Sequence, residues 1–236
     1  MRIAGLQKMT LLDYPGKVAC TIFLQGCNFR CPFCHNSDLL GKEGPDEIPE
    51  ETLLAFLKKR VGLLDAVCIT GGEPTLQKDL PDLIRKIKDL GYLVKLDTNG
   101  GKPEVLKHLV EEKLIDYVAM DIKNCPANYG LTAGVTNLNL SPIEESIRYL
   151  LAGNIDFEFR TTVADELHDE NDFAAIGRWL QDIDVHHPAP KFFIQPYVDR
   201  ESVLAQGLTT PTTEKLSKML DTITPYVSYA AIRGMD

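Results

Sequence analysis

A basic surplus is what this sequence most plainly lacks: 34 acidic side chains against 25 basic ones give a formal charge of -9 over 236 residues, with no local run of lysine or arginine. Gripping a phosphate backbone needs clustered cations, so nucleic acid is not an expected partner. Long apolar runs are missing as well. No stretch approaches the roughly eighteen apolar residues that a membrane span needs, and the opening "MRIAGLQKMTLLDYPGK" has no sustained apolar segment of the kind that directs secretion. The expectation is a soluble, cytoplasmic chain without a membrane partner. Linkers and low-complexity segments are also absent, so residues 1–236 read as a single domain, long enough to bury a substantial core. Cysteine is scarce except in one place: three of the six stand at 27, 31 and 34, and the others stand alone at 20, 68 and 125. In a reducing compartment clustered thiols of this kind serve as ligands or catalysts rather than as disulfides.

What is present is a regular alternation. Short β-rich runs occur at 18–24, 66–70, 93–98, 117–123, 156–163 and 191–197, and segments with helical spacing lie between them. Residues 79–90 carry apolar side chains at 80, 83, 84, 87 and 90, with Asp79 placed to cap the start and Gly91 to stop the end. The segment "SPIEESIRYLLAG" from Ser141 predicts a helix capped by Ser141, opened by Pro142, boxed by Glu144 and ended by Gly153. About six βα units in succession imply an α/β fold with parallel strands and outer helices, curled by right-handed crossovers into a full or partial barrel.

Alternate residues of a strand share a face. One parity collects Lys95 and Asp97, Asp121 and Lys123, Glu158, Arg160 and Thr162, and Gln195, where an ordinary barrel interior carries branched apolar residues. Solvated strand ends or an internal salt-bridge network account for such charges too. Charges inside a barrel must be paired or coordinated to offset their desolvation, and a lumen holding a polar, charged ligand follows, with its chemistry at the C-terminal ends of the strands.

The cysteine loop "GCNFRCPFCHN" follows the first of these strands and therefore lies at that rim. Consecutive Cα atoms are only about 3.8 Å apart, so thiols at 27, 31 and 34 can converge on one centre if the loop curls. Zinc asks for a fourth ligand, and the nearest candidate, His35, is an awkward partner for its neighbour Cys34. Three thiols without a fourth suit an iron-sulfur cube with one iron open to an outside ligand. Spacing alone leaves both centres open.

The C-x-x-x-C-x-x-C spacing with Phe33 before the last cysteine resembles the signature of the radical S-adenosylmethionine enzymes. "TGGEP" at 70–74 is similar to that family's segment for the methionine ammonium group, with Gly71 and Gly72 permitting close backbone approach and Glu73, before Pro74, able to accept from a cation. The resemblance implies a partial (β/α)6 barrel, a [4Fe-4S] cluster on Cys27, Cys31 and Cys34, and S-adenosylmethionine on its fourth iron, cleaved by one electron to a 5'-deoxyadenosyl radical. "DYPGK" at 13–17, "FLQGCNFRCPFCHN" at 23–36, "DTNG" at 97–100, "MDIK" at 120–123, "RTTV" at 160–163 and "IRG" at 232–234 are similar to glycyl radical enzyme activating enzymes, and within them to the activating protein of anaerobic ribonucleoside-triphosphate reductase. By this resemblance the protein takes a hydrogen atom from a glycine of a partner glycyl radical enzyme, probed first with anaerobic ribonucleotide reductase, and draws electrons from a flavodoxin- or ferredoxin-type donor. It further implies a monovalent cation, Na+ or K+, at Asp97, Thr98, the Ala119 carbonyl and Asp121, and cofactor contacts from Lys123, Arg160, Asn99 and, where a relative carries histidine, Gln195.

The other conspicuous residues have plainer readings. Cys20 and Cys68 act as small hydrophobes, Cys125 is an isolated loop cysteine, His186 and His187 are solvated, Trp179 belongs to the core, and for Asn99 the plainer alternative to a cofactor contact is a turn with Gly100. Two rival functions remain: a radical enzyme acting on a small molecule such as a deazapurine precursor, and a zinc-bound module without catalysis.

Overall fold

The computed structural model describes residues 1–41, 46–200 and 202–234. Among the described residues eight strands follow one another in chain order in one mostly parallel sheet. They are β1 (Ile3–Thr10), β2 (Ala19–Leu24), β3 (Ala66–Gly71), β4 (Leu93–Thr98), β5 (Tyr117–Asp121), β6 (Phe157–Val163), β7 (Phe192–Pro196) and β8 (Ala230–Ile232). The helices are α1 (Glu50–Lys58), α2 (Leu80–Asp89), α3 (Pro103–Glu111), α4 (Tyr129–Ala133), α5 (Ser141–Leu151), α6 (Glu170–Ile183) and α7 (Thr213–Ile223). The α/β expectation holds, and the six expected strands are β2 to β7. Strands β1 and β8 are additions at the two ends. Residues of β1 are exposed three in succession near its end, so it lacks the alternation that marks a strand, and β8 is three residues long. The strand expected over 117–123 ends at Asp121, so Lys123 lies just beyond it.

Two compact units make up the described chain. One comprises Met1–Asn28, Asn36–Thr98 and Glu104–Val118; the other comprises Phe29–His35, Asn99–Pro103 and Ala119–Asp236. In the first unit β2 runs parallel to β3 in the register Ala19↔Ala66 to Leu24↔Gly71, and β1 pairs antiparallel with β2. Ala19, Cys20, Ile22 and Leu24, with Ala66, Val67, Cys68 and Ile69, are fully buried, as expected for parallel strands covered on both faces. Burial pushes the Cys20 thiol up to about 12 and raises that of Cys68, so both behave as the inert hydrophobes expected of them. Helix α2 buries Leu80, Leu83, Ile84 and Ile87 on one stripe, each contributing about 1.5–3 kcal/mol by removal from water. Asp79 precedes it as expected, but its side chain makes no cap bond and lies 3.4 Å from the N-terminal amine of Met1 instead.

In the second unit β6, β7 and β8 are parallel, with Phe159↔Phe192 and Phe192↔Ala230 in register. Helix α5 starts where expected but is capped differently: Leu140 is the N-cap residue, and the side-chain acceptor comes from Asn139, whose Oδ1 takes the Ser141 N–H at 3.1 Å. Glu144 closes no capping box because its Oε1 accepts the indole N–H of Trp179 at 3.0 Å, a buried donor with a stronger claim on it. Helix α6 does carry a capping box, built by Asp169 and Asp172. Trp179 is core, as expected, and packs edge-on against Tyr129.

Candidate active site

The site residues divide between the two units. In the first, strand β3 runs into the "TGGEP" turn and β2 into Gly26 and Cys27. The Gly72 N–H donates to the Leu24 carbonyl and the Glu73 N–H to the Gly26 carbonyl, both at 2.8 Å. These bonds bring the two backbones so close that a Cβ on Gly72 would stand 2.1 Å from the Gly26 oxygen. Gly71, at φ +116, occupies backbone space that L side chains avoid. The glycines are thus needed here for contact between one loop and the next.

Glu73 is 1% exposed, and its Oε1 accepts from the Thr75 N–H at 3.1 Å, the Thr75 hydroxyl at 2.5 Å and the Thr98 hydroxyl at 2.8 Å. It bolts the turn that carries Pro74 to the end of β4. On β4, Lys95 is buried and its ammonium bonds Asp97, so the expected parity of those two charges holds. Cys27 is half-buried.

In the second unit the remainder of the cysteine loop is supported along its length. The Cys34 N–H closes a turn on the Cys31 carbonyl at 3.0 Å, and the Arg30 N–H reaches the Ala133 carbonyl at the end of α4 at 2.9 Å. Gly134 follows there because a Cβ would meet the Arg30 oxygen at 2.0 Å. From beyond β7 the Ala205 N–H bonds the Pro32 carbonyl and the Ser202 hydroxyl bonds the His35 carbonyl, both at 3.0 Å. The His35 ring stacks on Tyr197 and its Nε2 lies 2.7 Å from the Val198 carbonyl, so His35 braces the loop. Phe33 is buried, with its ring centroid 6.2 Å from that of His168.

Beside this loop stands a charged trio. Asp121 receives Lys123 Nζ at 2.9 Å and Arg160 through Nε at 3.1 Å and Nη2 at 3.0 Å. Burial alone would raise the Asp121 carboxyl, but the two cations overcome it and hold it well below the usual carboxylate range. Burial would likewise lower Lys123; Asp121 and Cys31 reverse the sign and hold it above its ordinary value. Cys31 is buried and its thiol is pushed up, with Lys123 pulling in the opposite direction. One carboxylate and two cations leave a surplus positive charge at this point.

Ala119 is buried on β5, Gln195 is half-buried near the end of β7, and Asn99 accepts the Gly101 N–H at 2.9 Å, the turn expected of it. Among the described residues, no three His, Cys, Asp or Glu side chains are grouped closely enough to hold a metal ion as they stand. Two residues of this neighbourhood carried no signal in the sequence. Tyr129, fully buried, donates its hydroxyl to the Asp121 carbonyl at 3.3 Å, and His168, 2% exposed, bonds the Lys123 carbonyl at 2.9 Å. His168 sits in "DELHDE", which reads as a solvated acidic stretch. Cys125, also buried, donates to Asp172 at 3.3 Å.

The radical SAM superfamily model matches residues 21–174, a span that holds the cysteine loop, the "TGGEP" turn and the charged trio. The chain belongs to the radical SAM superfamily. A relative from Methanocaldococcus jannaschii, named as a glycyl-radical enzyme activating enzyme, is 36% identical over 191 residues, 78% of this chain and 77% of that protein. A second, from Thermococcus kodakarensis and named as a GTP 3',8-cyclase, is 31% identical over 170 residues, 70% of this chain and 55% of its own length. Among solved structures, Streptococcus suis SuiB bound to S-adenosylmethionine shares the fold with a TM-score of 0.67 at 14% identity, over 91% of this chain and 52% of SuiB. The chain thus spans about half the length of two of these three proteins.

This radical SAM chain is an enzyme of the glycyl radical activase type, and its family implies a [4Fe-4S] cluster and S-adenosylmethionine. The residues fit that pair of groups in donor chemistry. All six cysteines are outside disulfides, three of them lie within eight residues of loop, and the surplus positive charge beside Cys31 suits the carboxylate of an amino acid. No helix among the described residues is long and apolar enough to cross a membrane.

Proposed function

We propose that the protein is a cytoplasmic activating enzyme for a glycyl radical enzyme, with anaerobic ribonucleoside-triphosphate reductase the first partner to offer it, and that residues 1–236 act as one domain. The observation that carries this reading is the Asp121–Lys123–Arg160 trio next to the Cys31–Cys34 turn. In it Cys27, Cys31 and Cys34 hold the [4Fe-4S] cluster. When bound, the cluster would supply one-electron reduction of S-adenosylmethionine, with a flavodoxin- or ferredoxin-type protein as the electron source, and the 5'-deoxyadenosyl radical so released would take the hydrogen atom of the partner's glycine.

The chain's own residues bind and orient. Lys123 and Arg160, fixed by Asp121, receive the cofactor carboxylate. The backbone from Gly71 to Pro74, with the Glu73 carboxylate held by Thr75 and Thr98, meets its ammonium group. Phe33, Asn99 and Gln195 complete the surroundings. A Na+ or K+ ion at Asp97, Thr98, the Ala119 carbonyl and Asp121 belongs to the same reading. Activity then rises when either ion is restored to depleted buffer; indifference to both leaves Lys95 and Lys123 as the counter-charges already seen on Asp97 and Asp121.

A glycine Cα suits this chemistry, since the radical it yields is stabilised by the flanking amides and no side chain impedes approach. The reduced enzyme with S-adenosylmethionine and the reductase should produce a stable glycyl doublet by electron paramagnetic resonance, and deuterium placed on that glycine should appear in 5'-deoxyadenosine. The similarity to a GTP 3',8-cyclase keeps a second reading, a small-molecule substrate. Label transfer from a small metabolite, with none from any glycyl radical protein offered, selects it instead.

A further inference from the structure

We propose that His168 is a positioning residue with two separable tasks: it sets Lys123 through a hydrogen bond and the Cys31–Cys34 turn through its ring. The inference rests on the reading of those cysteines as cluster ligands and of Lys123 as a cofactor contact.

His168 lies between the end of β6 and the capping box of α6, and is 2% exposed. The Lys123 carbonyl can only accept, so the 2.9 Å contact places the ring proton on Nε2. That leaves Nδ1 as an acceptor, and the Ala164 N–H supplies the donor at 3.3 Å. Both nitrogens are therefore satisfied in one neutral tautomer, and the ring cannot turn without losing both bonds.

The bond to Lys123 is one of several that pin the chain leaving β5, among them the Ile122 N–H to the Arg160 carbonyl at 2.8 Å. Thr161 donates its hydroxyl to the Ile122 carbonyl at 2.8 Å, and Asn124 donates its side-chain amide to the Leu167 carbonyl at 3.0 Å. Among these bonds, the one from His168 falls on the residue whose ammonium bonds Asp121. The ring meanwhile packs 6.2 Å from Phe33 at an interplanar angle of 51°, and Phe33 stands inside the turn that the Cys34 N–H closes on Cys31. A single side chain thus touches the lysine from behind and the cysteine turn from the side. An aromatic residue without a donor can do only the second, and an amide only the first.

The test uses anaerobically reconstituted holoenzyme, unreduced so that nothing turns over, and two measurements: the rate of iron release to EDTA, and the dissociation constant for S-adenosylmethionine. His168→Gln keeps a donor at the Nε2 position and loses the ring; iron release should accelerate about tenfold while cofactor affinity stays within about twofold of wild type. His168→Phe keeps the ring and loses the donor, and should do the reverse: affinity falls about tenfold and iron release stays near the wild-type rate. A residue that merely stabilises the fold moves both quantities together in both variants, and that result overturns the proposal. Where His168→Phe yields no folded protein, His168→Gln decides alone, and iron release at the wild-type rate sinks the inference. A wild-type protein with no cluster spectrum overturns the underlying reading of the cysteines and this inference with it; a normal wild-type spectrum with unaltered variants overturns the inference only.

Discussion

Reconstituted protein carrying Cys27→Ala, Cys31→Ala or Cys34→Ala should lose S-adenosylmethionine cleavage, by more than the roughly 10–100-fold typical of losing an outer partner of a metal ligand. Wild-type protein should hold about four irons per chain and each of these variants far fewer. Cys125→Ala should keep both iron and cleavage. The contrast follows from surroundings rather than exposure, since Cys125 is as buried as Cys31. Cys125 spends its proton on Asp172, which also accepts the Asn128 side-chain amide at 2.8 Å and belongs to the capping box of α6. An adjacent carboxylate opposes formation of a thiolate there, after burial has already raised the thiol. Cys31 instead faces Lys123, the counter-charge a thiolate needs. Loss of iron from Cys125→Ala equal to that from the other three would refute the three-ligand assignment.

Arg233→Met should cost about 3 kcal/mol of folding stability, a large share of what a chain of this size has to spare. Glu158 is fully buried, and its two carboxylate oxygens take Arg233 Nη1 at 2.6 Å and Nη2 at 2.7 Å in a bidentate fork, with the guanidinium carbon 3.3 Å from the centroid of Phe193. Removing the guanidinium takes both of these charge-assisted bonds from a desolvated carboxylate. Replacing both members, Glu158→Leu with Arg233→Met, removes the buried charge and should recover most of the loss. Urea midpoints of wild type, single variant and double variant measure this directly. A double variant no more stable than Arg233→Met would mean that the stacking on Phe193, rather than the ion pair, holds β8 in place.

That pair also marks a limit of sequence reading. Strand parity placed Glu158 and Arg160 on one face, and so they are, but nothing local tells that Glu158 is answered by a residue 75 positions away while Arg160 turns to Asp121. The parallel strands were legible because burial on both faces leaves uninterrupted apolar runs such as 66–69. The cysteine loop and "TGGEP" were legible because their residue types are rare in that order. Strand β1 was hidden by its solvated end, and the cap of α5 by competition, since the indole of Trp179 reaches Glu144 through the fold rather than along the chain. The glycines of "TGGEP" were read as permitting close backbone approach, and what the sequence did not tell is that a Cβ on Gly71 would meet Leu24 and one on Gly72 the Gly26 carbonyl. His168 was invisible for a related reason, since its two acceptor and donor partners are backbone groups and leave no mark on composition.

The supports of residues 29–35 have an order in time as well as in space. The loop is made early, yet what steadies it comes from Ala133, His168, Val198, Ser202 and Ala205. At about 5–20 residues per second, a ribosome takes roughly ten to thirty seconds to travel from the loop to the last of these. Through that interval the nascent thiols stand without these braces, and closing so long a loop has an entropic cost that is met only once those partners are made. On the proposed reading of these cysteines, a fully braced loop can receive its cluster only once the chain through Ala205 has been made.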